Sequence, residues 1–163
     1  MTAVAVEVDP ATGAVTVLEA TTVVDCGVVI NPAVVVGQQQ GGFAQGLGVA
    51  LLEEVRYSEE GQLCATLLDY TIPTALDVPD LRVVLRQTPS EVLGGFRGVG
   101  ETGIIAAPAA IVGAVDDALA PLGVRLCSTR AHSHVLRAEV RGHGWRPDPA
   151  DWAAGRTAGA TGL

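Results

Sequence analysis

The sequence predicts an α+β domain with an N-terminal β-hairpin, a long glycine-rich helix, further strands and a second helix. Three observations predict it. Valine and threonine alternate on either side of a turn cluster near the start. Glycine and alanine recur at helical steps between residues 37 and 48. An apolar, alanine-rich run follows residue 105. Strands and helices do not alternate one for one, so a doubly wound βαβ pattern is not expected.

The elements follow in order. Val4, Val6 and Val8 alternate onto one face, as a half-buried strand requires. Asp9-Pro10-Ala11-Thr12-Gly13 is a turn cluster. Residues 15–24 read as the second strand of the hairpin, rich in valine and threonine. The chain opens inside this hairpin, a pattern expected of a piece of something longer. Asp25-Cys26-Gly27 ends the strand. Asn31 suits a helix N-cap and Pro32 the first helical position, and the helix is expected to run to about Val55. Gly37, Gly41, Ala44 and Gly48 would line one ridge of it, with Gln38 and Gln45 beside them. A glycine inside a helix costs about 1 kcal/mol relative to alanine, so the ridge implies close packing or binding.

Residues 57–62 read as a hairpin turn, 63–72 as a strand, 73–79 as an exposed connection, 81–86 as another strand and 88–97 as a loop. Pro108 is tolerated best near a first helical turn, which would start the second helix at Ala106 or Ala107. Gly123 would end it, with a short strand at 124–126 and a short helix at 132–140. Residues 1–141 form the expected domain and 142–163 a mobile tail, with little periodicity in its Gly, Ala, Pro and Asp.

Composition bounds the function. The 163 residues are 48% hydrophobic and 17% charged, a globular balance. A net charge of −8 repels phosphate backbones and anionic bilayers, so nucleic acid is set aside as a partner. No apolar run is expected to reach the roughly 18 residues of a membrane span. The start lacks a basic segment followed by an apolar one, so a cytoplasmic location is expected. Cys26, Cys64 and Cys127 form no CxxC pair and are expected to be buried, reduced thiols. His132, His134 and His143 are expected to be solvated, without a metal-ligand grouping.

The chemistry concentrates at Arg97-Gly98-Val99-Gly100-Glu101-Thr102-Gly103, a carboxylate among three glycines ahead of an apolar run. Gly98-x-Gly100-x-x-Gly103 has the letters of a dinucleotide fingerprint. That motif needs a buried strand leading into the first glycine and an acidic residue about 20 positions on, at the end of a second strand. Residues 92–97 are too short and glycine-rich for the strand, and Asp116 and Asp117 fall within the next helix. The phosphate-loop reading is rejected. Glu101 then stands either as a solvated residue at a helix start, where negative charge is mildly favoured, or as a base on a glycine turn. Spacing alone leaves both open.

A second constellation supports the base. Asp-Cys-Gly-x-x-Ile-Asn-Pro (25–32), Gly-Gln-x-x-Gly-Gly (37–42), Leu-Leu-Glu-Glu (51–54), Asp-Tyr-x-Ile-Pro (69–73) and Gly-Val-Gly-Glu (98–101) occur in that order. This set resembles the C-terminal molybdopterin-binding region of the xanthine dehydrogenase/aldehyde oxidase family. The wording of the first motif is similar to carbon-monoxide-dehydrogenase-like large subunits. The resemblance covers roughly residues 3–126 and implies a partial domain of a larger molybdenum-binding subunit.

It also implies roles. Glu101 would be the general base that takes a proton from a molybdenum-bound water or hydroxide, and Gln38 would contact the cofactor near the metal. Gly98, Val99 and Gly100 would form the glycine turn beside it, and no residue here would ligate the metal. Asn31 and Pro32 would be structural, and Gln39, Gln40 and Gln45 ordinary helix residues. Arg97 is left between pairing with Glu101 or the cofactor and lying on the surface. The implied activity is oxidation of an aldehyde, N-heterocycle or similar small molecule, with water as the oxygen source. The implied cofactor is molybdenum–molybdopterin, in the cytosine dinucleotide form if the protein is bacterial. The remainder of the large subunit, and iron–sulfur and flavin subunits carrying 2Fe–2S and FAD, are the implied partners. The isolated chain is expected to be inactive; a truncated remnant that at most binds or assembles is the alternative.

Overall fold

The structure, a computed structural model, describes residues 1–62 and 66–144. Strand β1 (Thr2–Asp9) pairs antiparallel with β2 (Ala14–Asp25), placing Val6 opposite Val17 and Val8 opposite Val15. Asp9 organises the turn by accepting from the Ala11 N–H at 2.9 Å and the Thr12 hydroxyl at 2.6 Å. Gly13 has a φ of 76°, and a Cβ there would lie 2.1 Å from the Ser133 carbonyl oxygen. The position therefore demands glycine twice, for its backbone and for the closeness of the last helix.

Helix α1 (Pro32–Leu51) begins as expected: the Asn31 side chain accepts from the N–H groups of Ala33 and Val34 at 3.1 and 3.4 Å. It ends short of Val55 because Leu52 and Glu53 both donate back to the Gly48 carbonyl, at 2.9 and 2.7 Å. The Glu53 carboxylate folds over Gly48, where a Cβ would stand 2.1 Å from its Oε1. Two short strands, β3 (Tyr57–Ser58) and β4 (Gly61–Gln62), form the expected hairpin. The strand expected over 63–72 is corrected: 63–65 lie outside the described residues, and 66–70 form a turn. Asp69 and Tyr70 donate to the Thr66 carbonyl there, and the Tyr70 hydroxyl reaches Glu53 at 2.5 Å.

Strand β5 (Leu81–Arg86) joins the far side of β2, and the sheet order is β1-β2-β5. Its pairing with β2 is parallel, so β2, α1 and β5 make one crossover unit. After a 3₁₀ turn at Leu93–Gly95, helix α2 runs from Thr102 to Leu119, starting four residues before the expected position. Pro108 therefore sits inside the helix. An interior proline costs about 3 kcal/mol, and here it packs on α1, 3.0 Å from where a Cβ at Gly46 would be. Gly123, with a φ of 76°, follows a 3₁₀ turn at Ala120–Leu122. The strand expected at 124–126 is absent. Asp116 holds that segment as coil, accepting from the Leu126 N–H at 2.6 Å and pairing with Arg125 at 3.0 Å. Helix α3 (Ser133–Gly142) includes Gly142, which was expected to open the tail. Residues 145–163 of that tail, with Trp145 and Trp152, lie outside the described residues.

Helices and sheet share the main core, beside a smaller cluster of Val24, Cys26 and Val35. Phe43, Leu47 and Ala50 of α1 meet Ala107, Ile111, Val115 and Leu119 of α2, with Val6, Val8 and Val17 of the hairpin and Leu136 and Val140 of α3. The expectation that no apolar run is long enough to span a bilayer is corrected. Thr102–Leu122 has 21 residues and contains an 18-residue stretch with a mean hydropathy of 1.6. In this fold that stretch packs against α1 and β1 as a core helix.

Candidate functional site

Glycine lets α1 and α2 touch backbone to backbone. A Cβ on Gly42 would lie 2.8 Å from the Gly103 Cα, and one on Gly103 would lie 3.0 Å from both the Gln39 carbonyl oxygen and the Gly42 Cα. Gly46 faces Ala107 and Pro108 one turn along. The packing ridge is thus Gly42–Gly46, one step round from the ridge expected at Gly37, Gly41, Ala44 and Gly48. Gly37 and Gly41 face open space. Gly103, the third glycine of the dinucleotide pattern, packs on a helix, whereas that fingerprint uses its third glycine to pack a helix on a strand.

The DCG motif holds the glycine turn from the other side. The Arg97 N–H donates to the Cys26 carbonyl at 2.8 Å, and the Val28 N–H to the Gly95 carbonyl at 3.0 Å. Gly27 has a φ of 68°, and a Cβ there would lie 2.2 Å from the Gly95 oxygen. Asp25 Oδ1 accepts from the N–H groups of Gly27 and Thr88, both at 3.0 Å. The Thr88 side chain, then these N–H groups and the Arg97 charge, hold the Asp25 carboxyl down to about 2. Arg97 itself donates from Nε to the Thr88 carbonyl at 3.1 Å.

A pH dependence follows. A carboxyl depressed in the folded state contributes stability that is fully present above its ordinary value of 3.8 and lost as pH falls through about 2. Asp25→Asn is expected to flatten the decline in urea-denaturation stability between roughly pH 4 and 2. An unchanged decline would show that Asp25 does not tether this loop.

Two successive side chains on α1 hold the turn itself. Gln38 Nε2 donates to the Gly100 carbonyl at 2.6 Å. Gln39 Nε2 donates to the Thr102 hydroxyl at 2.7 Å, which in turn donates to the Val99 carbonyl at 3.0 Å. Gln39 was expected to be an ordinary helix residue. It is 1% exposed and clamps the start of α2. The signal was present in the sequence, since Val35, Gln39, Phe43 and Leu47 recur every four residues and all four are buried.

Beside this clamp opens a cleft of about 400 Å³ lined by Gln38, Gly41, Gly42, Gln45, Gly100, Glu101 and Ile104. Gln45, also expected to be ordinary, is part of its wall, while Gln40 is exposed. Glu101 occupies the N-cap of α2, and its side chain makes no capping bond. Of the sequence-predicted site residues, Gln38, Gly100 and Glu101 come together at the cleft. Gly98 has open space around it. Val99 instead packs with Val24, Cys26 and Val35.

Other expectations change. Cys26 is buried but Cys127 is exposed, and Cys64 lies outside the described residues. His134 and His143 are exposed, whereas His132 is buried.

Comparison with known proteins gives consistent findings. The molybdopterin cofactor-binding domain family matches residues 1–79. The nicotine 6-hydroxylase large subunit of Paenarthrobacter nicotinovorans is 41% identical over 153 residues, which cover 93% of this chain and 19% of that protein. The carbon monoxide dehydrogenase large chain of Hydrogenophaga pseudoflava is 36% identical over 121 residues, 73% of this chain and 15% of that protein. The crystal structure of quinoline 2-oxidoreductase from Pseudomonas putida 86 superposes with a TM-score of 0.80 at 44% identity, over 87% of this chain and 18% of that one. The chain spans less than a fifth of the length of each of these relatives.

Proposed function

Since the chain belongs to the molybdopterin-binding region of the xanthine dehydrogenase/aldehyde oxidase family, we propose that it forms one wall of a molybdenum-cofactor site in a larger hydroxylase subunit, with Glu101 as general base. One observation carries the reading. Gln38 on α1 and Gly100–Glu101 before α2, joined by a hydrogen bond across 62 residues of sequence, converge on a single open cleft.

The cleft suits such a group. Its volume falls within the range typical of small-molecule sites. Gly41 and Gly100 leave open space where a Cβ would stand. Gln38 and Gln45 bring amides that can donate to an oxo group and accept from a pterin amine. The cofactor, when bound, supplies the redox centre and the oxygen that is transferred. The chain's own residues position and deprotonate. The Gln38 and Gln39 side chains fix the turn so that Glu101 faces the cleft. Its carboxylate would take the proton from the oxygen nucleophile. Gly98, Val99 and Gly100 carry the carboxylate to that position.

The substrate class we infer is an aldehyde, an N-heterocycle or a similar small molecule, with water as the oxygen source. Relatives named for nicotine and quinoline support the heterocycle. Residues 1–141 act as the C-terminal part of a cofactor domain completed by the remainder of the subunit, and catalyse nothing alone. Iron–sulfur and flavin partners would carry electrons away, the cofactor would take the cytosine dinucleotide form in a bacterial host, and the assembly would be cytoplasmic.

Gly41→Phe tests the wall. Apart from its chain neighbours and the adjoining backbone of α1, no protein atom lies within 4 Å of the new Cβ, so the isolated chain should melt as wild type. Assembled with the rest of its subunit, it should lose molybdenum. An unchanged molybdenum content would place the cofactor elsewhere.

A further inference from the structure

We propose a second metal site, formed by Glu54, His132 and His134 and suited to zinc, which ties the exit of α1 to the start of α3. It lies past the C-terminal end of α1, roughly 20 Å along that helix from Gln38, so it is separate from the cleft. Glu54 Oε2 stands 3.8 Å from His132 Nδ1 and 3.7 Å from His134 Nε2. One ligand atom from each of the three residues lies within 4.8 Å of the others.

The distances favour an ion over direct contact. A hydrogen bond would bring nitrogen and oxygen to about 2.7–3.2 Å. Imidazole and carboxylate ligands on one zinc sit at about 2.0–2.2 Å from it, which places them roughly 3.3–3.5 Å apart in a tetrahedral arrangement. The observed spacings fall just beyond the ion-bridged value. His132 carries the second observation: this 4% exposed imidazole turns Nδ1 toward Glu54 yet stands 3.8 Å from it, too far for a hydrogen bond. With Nδ1 on the ion, Nε2, which has no partner, would carry the ring proton.

The surroundings support one role for each carboxylate oxygen. Arg130 holds Glu54 Oε1 at 3.0 Å, leaving Oε2 to the imidazoles. The Ala131 N–H donates to the Ala50 carbonyl at 2.8 Å, so backbone already joins the two segments beside the cluster. Two nitrogens and one oxygen suit zinc among first-row ions, with water completing the shell. The charge of Arg130 opposes a dication and keeps the affinity moderate.

The test uses the untagged chain, stripped of metal, with zinc titrated by calorimetry and cobalt(II) as an optical probe. One equivalent of zinc should bind and raise the melting temperature. His134→Ala is the main variant, because His134 is exposed and its loss should leave the metal-free melt unchanged. Both it and Glu54→Gln should weaken zinc by more than the roughly 10–100-fold that losing a supporting partner costs at metal sites. Zinc uptake that does not saturate, or wild-type affinity in His134→Ala, would overturn the site. So would a thiolate-to-cobalt charge-transfer band, which would place the metal on a cysteine. None of these readouts depends on molybdenum.

Discussion

Glu101→Gln, assembled with the rest of the subunit, should keep its molybdenum and lose about 10²–10⁴-fold in kcat, the usual contribution of a positioned general base. The amide has nearly the shape of the carboxylate but cannot take the proton. The fold has little reason to respond, because the Glu101 side chain makes no capping bond to α2. Substrate contacts are left in place, so KM should change little and kcat/KM should fall with kcat. A rise in KM at constant kcat would instead describe a residue that only helps to bind substrate. Steady-state kinetics on metal-replete protein separates the two.

Gly42→Val should damage the packing of α1 on α2 severely. Its Cβ would arrive 2.8–2.9 Å from backbone atoms of Gly103 and Ile104, none of which can rotate away. Overpacking of this kind costs about 1–3 kcal/mol. Parting the helices would also strain the Gln38–Gly100 and Gln39–Thr102 bonds, at about 1 kcal/mol each. Urea denaturation should therefore show a loss of roughly 3 kcal/mol or more. Gly41→Phe, one residue away but facing open space, should show none of it. If the two variants melt alike, the helices are not held in contact by glycine.

Much of this was legible in the chain, where the signal is local. The hairpin follows from the alternation of Val4, Val6 and Val8, and the start of α1 from Asn31-Pro32. The ordered motifs pointed to Gln38 and Glu101, which the fold brings to one cleft. Long-range contacts were not legible. Nothing local in Leu81–Arg86 says that it pairs parallel to β2. The early start of α2 depends on Gly103 meeting Gly42, a contact between residues distant in sequence, and Pro108 read alone points the other way. The ridge was misplaced because spacing identifies a repeat of small residues but not which side of the helix meets a partner. His132 was expected to be solvated, yet it is buried where the Ala131–Ala50 bond draws its segment onto the end of α1.

Molybdenum content and turnover, measured side by side on wild type, Gly41→Phe and Glu101→Gln in the assembled enzyme, test most directly whether this cleft holds the cofactor with Glu101 as its base. Glu101→Gln should carry a full complement of metal and turn over little, and Gly41→Phe should lack both metal and turnover. Wild-type turnover by fully loaded Glu101→Gln would contradict the assignment of the base, and a fully loaded Gly41→Phe would contradict the assignment of the cleft.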